Sequence, residues 1–280
     1  MTIIYFAVPV FFITLNAALR RLKIYICSFP DCIFSPARAA AGRDRQIREY
    51  RRFYSLCDEI RRIRRRSGMY DEQKNEDRLV ERFYFERPSP GRKEDIIGYL
   101  KEHVEAGSDI NGTGSLDRIL SGWTFEEALE RCLRMEEKDY AIKQGRCPGK
   151  TFLLIRKNDN RLVGTINVRR DLNEAMLLFG GHIGYGIRPS ERGKGYSKIN
   201  LYMGLKEALG LGLSRVMIGC SASNIPSDRT IRALGGVLER CGRDPEDGEL
   251  SNVYWIDVEK SLKACRDIYE PCISKKHPKT

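Results

Sequence analysis

The chain has no Cys-x-x-Cys pair and only three histidines among its 280 residues. That removes the common zinc-binding spacings, and no metal is expected. Its nine cysteines are odd in number and scattered. This argues against a secreted disulfide framework and for a reducing interior, with most thiols simply buried. Acidic residues are in deficit, 38 against 49 Lys and Arg, a net charge of +11. The excess is uneven: residues 1–80 hold 16 Lys/Arg against 9 Asp/Glu. The basicity therefore belongs mainly to the N-terminal third and says little about the chemistry of the rest.

Apolar runs of full membrane length are lacking too. Residues 3–19 are apolar apart from Thr14 and Asn16, but the run is slightly short for a span and contains Pro9. A signal peptide carries positive charge before its apolar stretch; here Arg20, Arg21 and Lys23 follow it. Two readings stay open: a cytoplasmic protein with weak membrane association through residues 3–19, or an inner-membrane anchor that leaves the remaining chain facing the cytoplasm. Residues 1–42 thus read as an apolar segment and linker, and 43–78 as a basic helical extension. The extension is read as solvated rather than as a specific nucleic-acid contact. Nothing before Met69 has the pattern of a core, so translation from Met69 is an expectation; an intact mass near 32.2 kDa would rule it out.

What is present is a stretch of unusual density, Gly180 to Ser197. His182 to Ile187 can run extended, Pro189 stops the strand, and Ser197 opens an amphipathic run. The turn between them carries Arg192, Gly193, Lys194 and Gly195. Bare amides converging on a helix start form an anion site, and glycines let a phosphate approach the backbone. The spacing excludes two familiar phosphate loops. Six residues separate Gly186 from Gly193 where a P-loop has four, and Pro189 stands where a dinucleotide fingerprint needs its third Gly. Arg192, Gly195 and Ser197 fit a third pattern, [Arg/Gln]-x-x-Gly-x-[Gly/Ala], with Ser in the last place.

Over about residues 79–260 that pattern resembles the GNAT superfamily of acyl-CoA N-acyltransferases, in its bacterial "predicted acetyltransferase" branch. Four segments carry the resemblance: Asp109 to Gly114, the Gly-Gly-His-Ile-Gly-Tyr strand from Gly180, Arg188 to Tyr196, and Gly235 to Glu239. The remaining pattern is consistent with it. It gives a strand ending at Glu86, a helix over 93–106, and a capping box at Thr124 opening a helix to about Lys143. A hairpin of 151–156 with 162–168 follows, then a βαβ unit, a short helix from Pro226, and a hairpin closing near Val258. The fold class is α/β, of mixed α+β character: a central mixed twisted sheet with helices on both faces, over 79–260. Residues 261–280 read as a basic tail.

The resemblance implies an N-acetyltransferase that moves the acetyl group of acetyl-CoA directly to a primary amine, small molecule or protein, as a monomer or homodimer. Ile187 and Arg188 would pair with the pantetheine arm, and Arg192, Gly193, Lys194, Gly195, Tyr196 and Ser197 would hold the pyrophosphate. Asn224 would bond the arm or cap the next helix. His182 is the candidate base and Tyr254 a candidate acid, because the family's usual tyrosine position holds Ile231. Asp109 and Asn111 would meet the acceptor amine. Ile231 keeps one rival alive, an acyl-CoA-binding sensor of weak catalytic power, and the N-terminal region another, a membrane- or nucleic-acid-associated protein acting through its basic residues.

Overall fold

The computed structural model describes residues 81–274 apart from 246 and 247. The expectations on residues 1–78, including the apolar segment, the basic helix and the start at Met69, lie outside the described residues. So do the last six residues of the chain. Among the described residues no helix is long and apolar enough to cross a membrane.

Strands β1 (Phe83–Glu86), β2 (Gly149–Arg156), β3 (Arg161–Arg169) and β4 (Ile183–Ile187) form an antiparallel sheet in that order. A second antiparallel sheet holds β5 (Arg215–Ser221), β7 (Leu250–Asp257) and β6 (Val237–Arg243), with β7 central. The single mixed sheet expected from the pattern is therefore divided between β4 and β5.

The four-stranded sheet is covered on both faces, which is why Leu153, Leu154 and Ile155 are apolar in succession and all buried. Helices α1 (Lys93–Glu105) and α2 (Phe125–Arg134) cover one face, packing Ile96, Leu100, Phe125 and Leu129 on Leu153 and Ile155. Helix α4 (Tyr196–Gly210) covers the other, with Tyr196, Ile199 and Met203 against Leu154, Val163 and Ile187. Burying residues of this size contributes about 1.5–3 kcal/mol each. The capping box at Thr124 forms as expected: Glu127 N–H donates to Thr124 Oγ1, and Thr124 N–H to the Glu127 carboxylate. The helix it opens is shorter than expected. It ends at Arg134, and a separate short helix α3 (Lys138–Lys143) follows.

Helix α5 (Ile225–Ala233) precedes β6, and α6 (Val258–Tyr269) follows β7. This last helix corrects the reading of 261–280 as a tail. Asp257 caps it by accepting from Lys260 N–H, and Ser261 and Cys265 are buried beneath it. The few apolar positions among charged ones hid this face: only Val258, Leu262, Cys265 and Tyr269 carry it. Beyond it Ser274 N–H donates to Phe83 O (2.7 Å), adding the chain to the free edge of β1.

Candidate active site

The site begins where the two sheets part. Arg188 N–H donates to Val163 O (2.9 Å), and His182 O accepts from Arg169 N–H (2.7 Å). The even-numbered residues of β4 therefore bond to β3, and alternation turns the backbone groups of Ile183, Tyr185 and Ile187 toward β5. β5 meets them only at its start. His182 N–H donates to Met217 O (2.8 Å), and Met217 N–H donates to His182 Nδ1 (2.9 Å). Past Ile183 no ladder joins the strands among the described residues. Tyr185 and Ile187 thus present amides along an open gap, fit to pair with an extended amide-bearing ligand. Arg188 was expected beside Ile187 in that role, and the structure corrects this. Its amide serves β3, and its guanidinium is buried on Leu162 O, Glu102 and Asp95 O.

The gap opens onto the start of α4. Gly193 (φ 77°) and Gly195 (φ 86°) are left-handed, and no atom lies within 4 Å of the Cβ either would carry. Gly195 is the N-cap residue and supplies no side-chain cap. The amides of Gly193, Lys194, Gly195, Tyr196 and Ser197 have no acceptor among the described residues. A bare helix start of this kind favours an anion by about 0.3–1 kcal/mol from the dipole alone. Tyr196 fixes the helix end: its ring meets Phe83 at 4.8 Å and its hydroxyl bonds Glu81 and Arg156. The Ser197 hydroxyl is shared with Thr230 of α5 (2.9 Å).

Residues 116–235 match the model of the acetyltransferase (GNAT) family. This segment is a GNAT acetyltransferase domain. No curated protein matches the chain. Solved structures do. One is the ribosomal-protein-S5-alanine acetyltransferase of Vibrio fischeri, at 19% identity, 63% of this chain, 94% of that one and a TM-score of 0.48. Another is a spermidine N-acetyltransferase SpeG chimera from Vibrio cholerae and hSSAT, at 16% identity, 65% and 98% coverage, and 0.46. A third is RimL, a ribosomal L7/L12 alpha-N-protein acetyltransferase in complex with coenzyme A, at 18% identity, 63% and 96% coverage, and 0.45.

In this GNAT domain the loop's full charges are arranged differently from the sequence expectation. Arg192 spends Nε on Ile187 O (3.1 Å) and Nη2 on Ser108 Oγ (3.0 Å). The reason is the gap itself: the last carbonyl of β4 has lost its ladder partner, and Arg192 satisfies it. Lys194 Nζ bonds Glu191 (2.7 Å), as does Arg156 (2.8 Å), and Arg161 lies within ion-pair distance of it (3.2 Å). Burial alone would raise the Glu191 carboxyl, but the bonds from Lys194 and Arg156 hold it below its ordinary range. Glu191 is therefore an anchor for cations and no base. The bare helix start is lined chiefly by backbone, with Lys194 at its rim.

The expected acid–base pair does not assemble. His182 is 8% exposed, and burial lowers its pKa. Its Nδ1 accepts from Met217, so the proton sits on Nε2 and neither nitrogen is free to take another. His182 is a staple between the sheets. Tyr254 is fully buried and donates to Asp228. Burial first, then the Asp228 carboxylate, raises its phenol. The two residues also lie on opposite faces. The His182 ring neighbours Trp255, which pairs with Met217, whereas Tyr254 pairs with Ile218, one residue on and so on the other side. Ile231, on the inner face of α5, is fully buried in the core.

Asn224, Asp109 and Asn111 were also expected at the site. Asn224 caps α5, its Oδ1 accepting Ser227 N–H (3.1 Å), which leaves its amide NH2 for a ligand. Asp109 and Asn111 are exposed. Their loop lies on β4, where Gly112 touches the strand so closely that a Cβ would sit 2.7 Å from Gly184 O. Tyr185 was missed from the sequence. Its hydroxyl crosses the gap to Ser227 Oγ (2.9 Å), and burial raises its phenol above the ordinary range. The signal was strand alternation, which places Tyr185 with Ile183 and Ile187. Among the described residues no cluster of metal-ligating side chains occurs.

Proposed function

We propose that this protein transfers the acetyl group of acetyl-CoA to a primary amine by direct attack. The observation that carries the reading is the gap after Ile183, which leads from unpaired amides of Tyr185 and Ile187 to the bare start of α4. The open space at Gly193 and Gly195 suits a diphosphate, and the strand edge suits the amides of a pantetheine arm. Acetyl-CoA supplies the acyl group as a thioester. Tyr185 or Ile187 N–H polarises the carbonyl and stabilises the charge that develops there. Asn224 Nδ2 and the amides of Gly193 to Ser197 fix the donor. The amine enters on the face beneath Asp109 and Asn111, already neutral, because His182 is tied to Met217. A thiolate of pKa about 8.5 leaves without a dedicated acid at Ile231.

The protein acts as a monomer or homodimer in the cytoplasm, with or without an anchor formed by residues 3–19. The tied states of His182 and Tyr254 favour one alternative, an acyl-CoA sensor with little turnover. One experiment separates the two: thermal stabilisation by acetyl-CoA, followed by thiol release over a panel of amines. Stabilisation with release supports the transferase. Stabilisation without release supports the sensor, and a melting temperature that acetyl-CoA does not move overturns both readings.

A further inference from the structure

Three arginines shielded from solvent are each paired with a carboxylate: Arg92 with Glu86, Arg156 with Glu191, Arg188 with Glu102. Arg169, half-buried, has no such partner. It ends β3, and its Nη1 donates to Gly181 O (2.9 Å). Among the described residues no carboxylate lies within ion-pair distance of it. Its charged and titratable neighbours are Cys147, Arg146 and His182, and burial lowers its pKa. Its Nε and Nη2 have no hydrogen-bond partner among the described residues and stay open to solvent or a ligand.

Its place gives the shape of what is missing. Alternation puts Thr165, Asn167 and Arg169 on the face of β3 that α1 covers. Thr165 is engaged with Tyr99 and Asn111 O, and Asn167 with Thr151, so the polar row ends in the unfilled Arg169. Nη2 lies 3.6 Å from where a Cβ on Gly184 would be, and the backbone of Gly112 lies 3.7 Å from the same point. The absence of a side chain at Gly184 and the positive φ of Gly112 leave that edge of the guanidinium lined by backbone alone. It is also one residue from Tyr185 N–H, where β4 leaves β5.

We propose that Arg169 binds a carboxylate of the acceptor, so that the substrate is a small amine bearing a carboxylate near its reacting nitrogen, of amino-acid type. This rests on the acetyl-transfer reading above. A guanidinium edge and a carboxylate make two parallel hydrogen bonds, and lysine cannot reproduce that fork. The pair would hold the nitrogen beside the gap while the carboxylate stays on the α1 face. It adds a positive contact to a channel in which Asp109 was expected to contribute a negative one, a combination that selects a zwitterion.

The test is steady-state acetylation of matched amines: glycine with methylamine, alanine with ethylamine, γ-aminobutyrate with butylamine. Each is assayed with the wild-type protein, Arg169→Gln and Arg169→Lys. Comparing variant with wild type for each amine cancels differences in basicity. The expected result is a KM for the carboxylated amines raised roughly ten- to hundredfold in Arg169→Gln, with kcat and the carboxyl-free amines unchanged. Arg169→Lys, which keeps a donor for Gly181 O, should retain part of the preference and guard against a folding defect. A variant that slows both members of each pair equally, or a wild type that does not prefer the carboxylated member, overturns the proposal. If no amine is acetylated, the transferase reading fails by itself. The anion site is then judged by calorimetric binding of N-acetylglycine: loss in Arg169→Gln upholds it, and equal or absent binding in both proteins overturns it.

Discussion

Gly195→Asp isolates the cradle from the rest of the domain. Gly195 has φ 86°, and nothing lies within 4 Å of its missing Cβ, so a side chain there meets strain but no collision. A left-handed non-glycine residue costs about 1–2 kcal/mol. At about 2–4 °C per kcal/mol for a unit of this size, Gly195→Ala should melt roughly 2–8 °C lower. Aspartate adds the same strain plus a charge aimed at the anion. Two unit charges about 5 Å apart at an effective dielectric near 20 repel by about 3 kcal/mol, enough to weaken binding on the order of a hundredfold. Wild-type protein at a hundredfold excess of acetyl-CoA over its Kd gains about 2.7 kcal/mol. That is roughly 5–11 °C in a thermal-shift assay. Gly195→Ala should keep a sizeable part of this ligand-induced rise and Gly195→Asp should lose nearly all of it. If Gly195→Asp retains the full rise, the diphosphate is not held at the start of α4, and the reasoning fails.

Two other outcomes follow from the same structure. With His182 tied to Met217 and its pKa lowered by burial, kcat/KM for an alkylamine should climb close to tenfold per pH unit from about 6.5 to 9, tracking the neutral amine; a plateau starting below pH 6.5 would restore His182 as the base. The Glu191 carboxyl lies below its ordinary range in the folded state, so its contribution is complete above the unfolded value of 4.5 and is lost as pH falls through the folded value. Denaturant titrations should therefore show Glu191→Gln less stable than wild type at pH 7, with the difference shrinking below about pH 4.5; a constant difference would mean the Arg156, Arg161 and Lys194 contacts do not depend on that charge.

Local rules made much of this molecule legible before its fold was known. The glycines and prolines around the loop, the Thr124 capping box and the β-rich runs of β2 and β3 are short-range signals, and each marked an element that forms. So did the arrangement of strand, basic turn and helix from His182 onward, because a bare helix start is a property of the loop's own residues. Helix α6 escaped because its apolar face is four residues wide and only the surface it packs on gives that face meaning.

The chemistry of individual side chains was a different matter. His182 has the right type and position for a base, but only Met217, 35 residues on, takes its Nδ1. Arg192 belongs to the motif, yet the parting of two strands decides that it must satisfy Ile187 O. Arg169 carries no local signal, since what marks it is the absence of any carboxylate around it. Sequence determined most of the elements and where a helix start stands bare, because those depend on neighbours along the chain. Tertiary structure alone decided which groups still have an unused bond, because hydrogen-bond partners and counter-charges are supplied by residues far away in sequence.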